Sequence, residues 1–227
     1  MSKSCTERLL PSSCSLELGA GFGLLLSLGC ATYGSHLSAT PVARGTQELS
    51  LSADALIIDR GFGPQIVPNP EVGWRLGSSD DFDVGGRVNL AGVEANARLR
   101  VLDGRWLDLA LVPGAGFGFV PATNADSGLF NLSALGALLA GLQLEQRSQL
   151  VFGPRGLVTY AFPLTAFGGD TSGAKLIYLV GGTLGVRFPV GKTTWLFPDV
   201  NVLVPYDSDR KEWYFPSIQA GVALQFE

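Results

Sequence analysis

The 227-residue chain carries 16 Lys and Arg against 20 Asp and Glu, only 16 % charged residues, and a mean hydropathy of +0.27. It lacks the clustered Lys and Arg that bind nucleic acid, and no stretch reaches the roughly 20 consecutive apolar residues of a spanning helix. Its 30 glycines, each costing a helix interior about 1 kcal/mol, set aside a helical bundle and leave a well-packed soluble domain or a barrel whose lipid-facing residues are spaced two apart.

Lys3 and Arg8 precede an apolar run over residues 18–29 that stops at Cys30. About a dozen residues suit the core of an export signal and are too few to span as a helix. All three cysteines, Cys5, Cys14 and Cys30, lie at or before this point. The body therefore holds no disulfide framework, thiol nucleophile or cysteine metal site. Residues 1–29 read as a signal peptide, 30–46 as a periplasmic tether and 47–227 as one domain. The only histidine, His36, falls in the tether and reads as a solvated linker residue, a poor place for a general base or metal ligand.

After Gly45 the period is two. Leu49, Leu51, Ala53, Ala55 and Ile57 alternate with Glu48, Ser50, Ser52 and Asp54, so an extended chain has one apolar and one polar face. Val72, Trp74 and Leu76 repeat the pattern against Glu71 and Arg75; Val84 and Val88 repeat it against Asp83 and Arg87. Val93, Ala95, Ala97 and Leu99 repeat it against Glu94, Asn96, Arg98 and Arg100. Further strands are expected over 106–119, 150–162, 176–188, 195–204 and 213–226. The segment Phe130 to Glu145 is apolar on both faces and fits a short helix or a strand. Two interrupting glycines and the need for an even strand number assign it as a strand.

Expected connections alternate in length, except that one outer connection, near Ala91-Gly92, is very short. Those over 78–81, 102–105, 146–149 and 189–193 are short; those over 59–65, 120–129, 163–174 and 205–212 are longer and rich in Gly, Pro, Asp and Ser. Short inner turns and longer outer loops are the habit of membrane barrels. Trp106, Trp195, Trp213, Tyr214, Phe162 and Phe188 sit near strand ends, where an interfacial girdle would place them.

Three features carry a resemblance. Leu28-Gly29-Cys30-Ala31 resembles a bacterial lipobox, departing from it at Ser27, which implies acylation of Cys30. Ile218, Ala220, Val222, Leu224 and Phe226 resemble the terminal signal read by the barrel assembly machinery, departing from it at Glu227. With the serial hairpins, residues 46–227 resemble small bacterial outer-membrane barrel proteins. The resemblance implies an all-β, up-and-down antiparallel transmembrane β-barrel of about ten strands, within a range of eight to twelve. It also implies residence in the bacterial outer membrane, with membrane lipids and the assembly machinery as partners, and no nucleic acid, cofactor or metal. Oligomeric state stays open.

The polar face then lines a lumen: Glu71, Arg75, Asp83, Arg87, Glu94, Arg98, Arg100, Asp108, Arg187 and Asp199, together with Glu48 and Asp54. A barrel this narrow is roughly filled by its side chains, so the first expectation is a lumen plugged by paired charges and water. A narrow channel or small-ligand site, and a catalytic acid/base pair, are the alternatives. Outer-membrane enzymes such as lipid A deacylases, palmitoyltransferases and omptin proteases resemble one another in using a barrel histidine; this body has none after His36. Gly114-Ala-Gly-Phe-Gly118 and Gly191-Lys192-Thr193 lack the flanking elements of nucleotide loops. A non-enzymatic structural or surface-interaction barrel is expected, with a diffusion channel second and a soluble lipocalin-like lipoprotein third.

Overall fold

The structure is a computed structural model that describes residues 36–59, 64–90, 92–121, 127–165, 174–208 and 210–227. The expected signal peptide and Cys30 lie outside the described residues. Ten long strands follow one another: β1 (Gln47–Asp59), β2 (Pro64–Ser79), β3 (Phe82–Asn89), β4 (Gly92–Asp103), β5 (Leu107–Pro121), β6 (Ser127–Gln143), β7 (Gln149–Thr165), β8 (Lys175–Pro189), β9 (Thr194–Asp207) and, after a two-residue piece β10 (Glu212–Trp213), β11 (Ser217–Phe226). Successive long strands pair antiparallel, and β11 returns to β1, with Leu49 opposite Phe226 and Ile57 opposite Ile218. The sheet therefore closes in up-and-down order.

Closure follows from the alternation. Leu51, Val180 and Val222 point outward at 45, 45 and 42 % exposure, whereas Asp83 and Arg98 on the other face are 0 and 1 % exposed. In a soluble domain this polarity would put grease in water and ions in the core. In a bilayer it is the favourable arrangement, and a closed ladder satisfies every backbone group without water. The molecule is a transmembrane barrel with the inside-out polarity of bacterial outer-membrane proteins. A lipocalin-like fold needs the reverse polarity, and that expectation is overturned.

The wall is uneven. β6 and β7 run 17 residues each, β3 only eight. About 9–11 residues cross a membrane, so the β6–β7 hairpin extends past the bilayer at the end of the longer connections. The rings of Phe119, Phe130, Phe162 and Tyr160 touch in series on its outer face, at centroid spacings of 5.1, 5.8 and 5.8 Å. Trp106 and Trp213 are exposed at opposite ends. Trp195 departs from the expected girdle: it turns inward, and Arg147 and Arg187 lie over its ring at 4.8 and 4.2 Å. Arg187 from the lumen and Arg147 from the short turn at the rim give the ring the cationic neighbours that the headgroup layer supplies outside.

The interior is also less uniformly polar than expected. Leu56, Leu157, Ile177, Leu179 and Leu203 pack together in the half nearer the long connections. A second apolar cluster joins Val112, Ala137, Leu139, Val151, Phe197 and Ala223 to Ala39, a residue from the segment preceding β1. That segment explains why Phe130 to Glu145 is apolar on both faces. The outer side of β6 meets lipid, and its inner side meets a piece of chain inside the barrel.

Candidate functional site

The periplasmic tether is the largest correction. Residues His36 to Val42 run up the lumen as a plug instead of lying free, and His36 is 4 % exposed. The reversal into β1 is made at Gly45, whose φ of +75° is strained for residues with a β-carbon. Gly77 lets the chain approach the wall: it exchanges backbone hydrogen bonds with Gly45 and Thr46, and a β-carbon there would strike the Val42 and Ala43 backbone.

Wall side chains hold the plug residue by residue. The Val42 amide donates to Asp83 Oδ2 at 2.8 Å, and the Thr40 hydroxyl donates to Asp108 Oδ2 at 2.7 Å. The Ala39 amide donates to Gln149 Oε1 at 3.1 Å. Arg98 Nη1 donates to the Ser38 carbonyl and hydroxyl at 2.8 and 2.7 Å, and Gln225 Nε2 donates to the His36 carbonyl at 2.6 Å. A polar segment inside a membrane protein must find partners for its backbone, and here the barrel wall supplies them.

The charged network around the plug is built into strand register. Asp83 and Arg87 are four apart on β3, as are Glu94 and Arg98 on β4, with the signs reversed. Antiparallel pairing sets Asp83 opposite Arg98 and Arg87 opposite Glu94, so each cation meets an anion. Asp83 Oδ1 accepts Arg75 Nε at 3.0 Å and Oδ2 accepts Arg98 Nε at 3.0 Å; both guanidinium Nη2 groups close on the same carboxylate. The network continues from Arg75 to Asn96 at 2.6 Å, from Asn96 to Glu94 at 2.8 Å and from Arg87 to Glu94 at 2.6 Å, with Glu71 3.5 Å from Arg87. Arg187 donates to Gln225 at 2.8 Å and Glu48 at 3.1 Å, and also holds Glu227, tying β8 to both sides of the β1–β11 seam.

Nine of the ten residues expected in the lumen network are buried there. Arg100 is not among them: it lies at the rim of the short turns, paired with exposed Asp81 and Asp103. It keeps the inward register, opposite buried Ala110, but is the last such position before the β4–β5 register shift at Leu102, level with the carboxylates of the short turns. Ile218, Ala220, Val222, Leu224 and Phe226 all stand on the lipid face of β11, at the seam. Sequence reasoning missed His36 and Arg155, which donates to Asn201 at 2.8 Å inside the lumen. Arg155 shares the inward face of β7 with Val151 and Leu157, so the period of two within the expected 150–162 strand carries its signal, and Gly153 and Pro154 only weaken it.

His36 sits at the inner end of the plug. Its Nε2 is 2.8 Å from Asp54 Oδ1 and its Nδ1 3.3 Å from Asp199 Oδ1. Burial acts to lower its pKa, but the hydrogen bond to Asp54 and the charges of Asp199, Asp54 and Glu71 outweigh it, leaving it raised above 6.5. Both ring nitrogens face carboxylates, so the ring ties the plug to β1 and β9 as a latch. A histidine with a raised folded pKa contributes stability that is full below its unfolded value and is lost as pH rises through the folded one. Thermal stability of the refolded barrel is therefore expected to fall as pH rises above the ordinary histidine value of 6.5, and His36→Asn to flatten that slope. Parallel profiles for the two proteins would rule the latch out.

No protein family matches the chain, and neither does any curated protein. Solved structures similar to it include Neisserial surface protein A, at 10 % identity and a TM-score of 0.34, over 79 % of this chain and 96 % of that one. The translocator domain of the autotransporter NalP from Neisseria meningitidis is similar at 12 % identity and a TM-score of 0.41, over 94 and 95 %. Ail, the attachment invasion locus protein of Yersinia pestis, is similar at 12 % identity and a TM-score of 0.30, over 81 and 99 %.

Proposed function

We propose that this chain is a non-enzymatic outer-membrane barrel that serves structure or surface interaction, with its lumen sealed by its own N-terminal segment. The observation that carries the reading is the plug. Residues 36–42 fill the lumen at the end of the short turns, and wall groups on β1, β3, β4, β5, β7, β9 and β11 hold them. His36 stands inside the barrel, so a missing barrel histidine no longer argues for this reading; what supports it is burial, since the ring is 4 % exposed and both its nitrogens face carboxylates, leaving a substrate no access. The tall β5–β8 side, which rises beyond the membrane, is where a surface partner would be met. Export through residues 1–29, acylation of Cys30 and reading of Ile218 to Phe226 by the assembly machinery belong to the same proposal.

One observation favours a second reading, a narrow channel with a removable gate. Among the described residues the buried carboxylates Glu48, Asp54, Glu71, Asp83, Glu94, Asp108, Asp199 and Asp207 number eight, against five arginines: Arg75, Arg87, Arg98, Arg155 and Arg187. Planar-bilayer recording of the intact protein separates the two. A sealed barrel gives no discrete conductance steps; regular steps from the unmodified chain would overturn the sealed reading.

A further inference from the structure

We infer that the lipid-facing wall carries a built site for a single acyl chain, in a groove across β4 to β7. The groove encloses about 580 Å³ and its lining is apolar throughout. Its floor is made by Pro113, Gly136, Pro154 and Gly156, with Leu99, Leu111 and Leu138 as banks. The floor is continuous across strands because Pro113 pairs with Gly136 and Gly136 with Gly156. It is low because the side chains are missing: a β-carbon on Gly136 would meet nothing within 4 Å, and one on Gly156 only the Leu179 carbonyl oxygen at 4.0 Å. Arg155 contributes no charge there, since its guanidinium turns inward to Asn201.

Position along the strands identifies the occupant. Pro113, Gly136 and Gly156 each stand six residues from the aromatic belt, at Phe119, Phe130 and Phe162 respectively. Six residues at about 3.3 Å each, on strands tilted about 45°, put the groove roughly 14 Å below the headgroup level, near the middle of an apolar band about 25 Å tall. No headgroup reaches that depth, so the occupant is hydrocarbon. A cavity of about 150 Å³ already admits benzene; this groove has room for an extended alkyl chain. The inference rests on the membrane placement of the outer face and is independent of whether the lumen is sealed.

The test is electron paramagnetic resonance of the full-length protein in vesicles of phosphatidylethanolamine and phosphatidylglycerol. One phosphatidylglycerol probe carries its nitroxide near the chain terminus and a second near the headgroup. The terminal label is expected to show a motionally restricted component worth one chain per barrel more than the Gly136→Leu/Gly156→Leu variant does. The headgroup-proximal label is expected to show no difference, and Ala220→Leu, on the lipid face of β11, is expected to match wild type. Heat-modifiable gel migration confirms that each variant is folded; if the double variant fails that check, Gly136→Ala alone is expected to reduce the restricted component partially. Equal restricted components in wild type and folded filled variants would overturn the site. So would a cross-linked dimer that buries Gly136, since the occupant would then be a second copy.

Discussion

An Asp83→Asn barrel is expected to lose about 3–5 kcal/mol of stability, the cost of breaking a buried ion pair by removing one partner. Asp83 is 0 % exposed, and its two oxygens serve Arg75, Arg98 and the Val42 amide at once. Asparagine keeps the volume but leaves two guanidinium groups without a counter-charge and turns an amide donor toward one of them. Combining the change with Arg75→Gln is expected to restore part of the loss, because one of the stranded cations goes with it. Denaturant unfolding in detergent micelles reads both effects. A loss below about 1 kcal/mol for Asp83→Asn would mean that water reaches these arginines, contrary to a sealed lumen.

Deleting residues 36–42 is expected to turn a silent barrel into a conducting one, with a preference for cations. Removal strips the hydrogen-bond partners of Asp54, Asp108 and Asp199 supplied by His36 and Thr40, and water must replace them. The eight buried carboxylates then outnumber the five arginines along the opened path, and in a narrow low-dielectric lumen the sign of the lining selects the ion. A stability loss of several kcal/mol is expected beside it, since net hydrogen bonds of about 0.5–1.5 kcal/mol each are given up together. Heat-modifiable migration shows whether the deleted chain still folds. A folded deletion that stays silent would assign closure to the wall itself, above all to the apolar layer of Leu56, Leu179 and Leu203.

The barrel wall was legible in the sequence because a half-buried strand writes its orientation into a period of two. Asp83, Arg87, Glu94 and Arg98 could even be paired in advance, since equal spacing with reversed signs fits only an antiparallel hairpin. The plug was not legible, and the reason is physical. Ser38, Ala39 and Thr40 are small and bind mainly through backbone or hydroxyl groups, so they leave no periodic trace, while their partners, Arg98, Gln149 and Asp108, lie 60 to 110 residues away. His36 looked solvated because nothing near it in sequence shows that Asp199 would flank it. Trp195 misled although the period of two already sets it on the face of Asp199, four residues on; Arg147 and Arg187 then hold its ring there. The double-sided apolar character of β6 was the one advance sign that something filled the lumen behind it.

The direction in which side chains leave the wall can be measured in bilayers. Single spin labels at Val180, Val222 and Leu224 on one face, and at Thr183, Gln219 and Asn201 on the other, with the native cysteines replaced by serine, report collision rates with oxygen and with a water-soluble nickel chelate. The first three sites are expected to collide with oxygen and be shielded from nickel, and the second three to be immobilised and shielded from both. High nickel collision at Val180 and Val222 would place that surface in water and contradict a membrane-spanning wall.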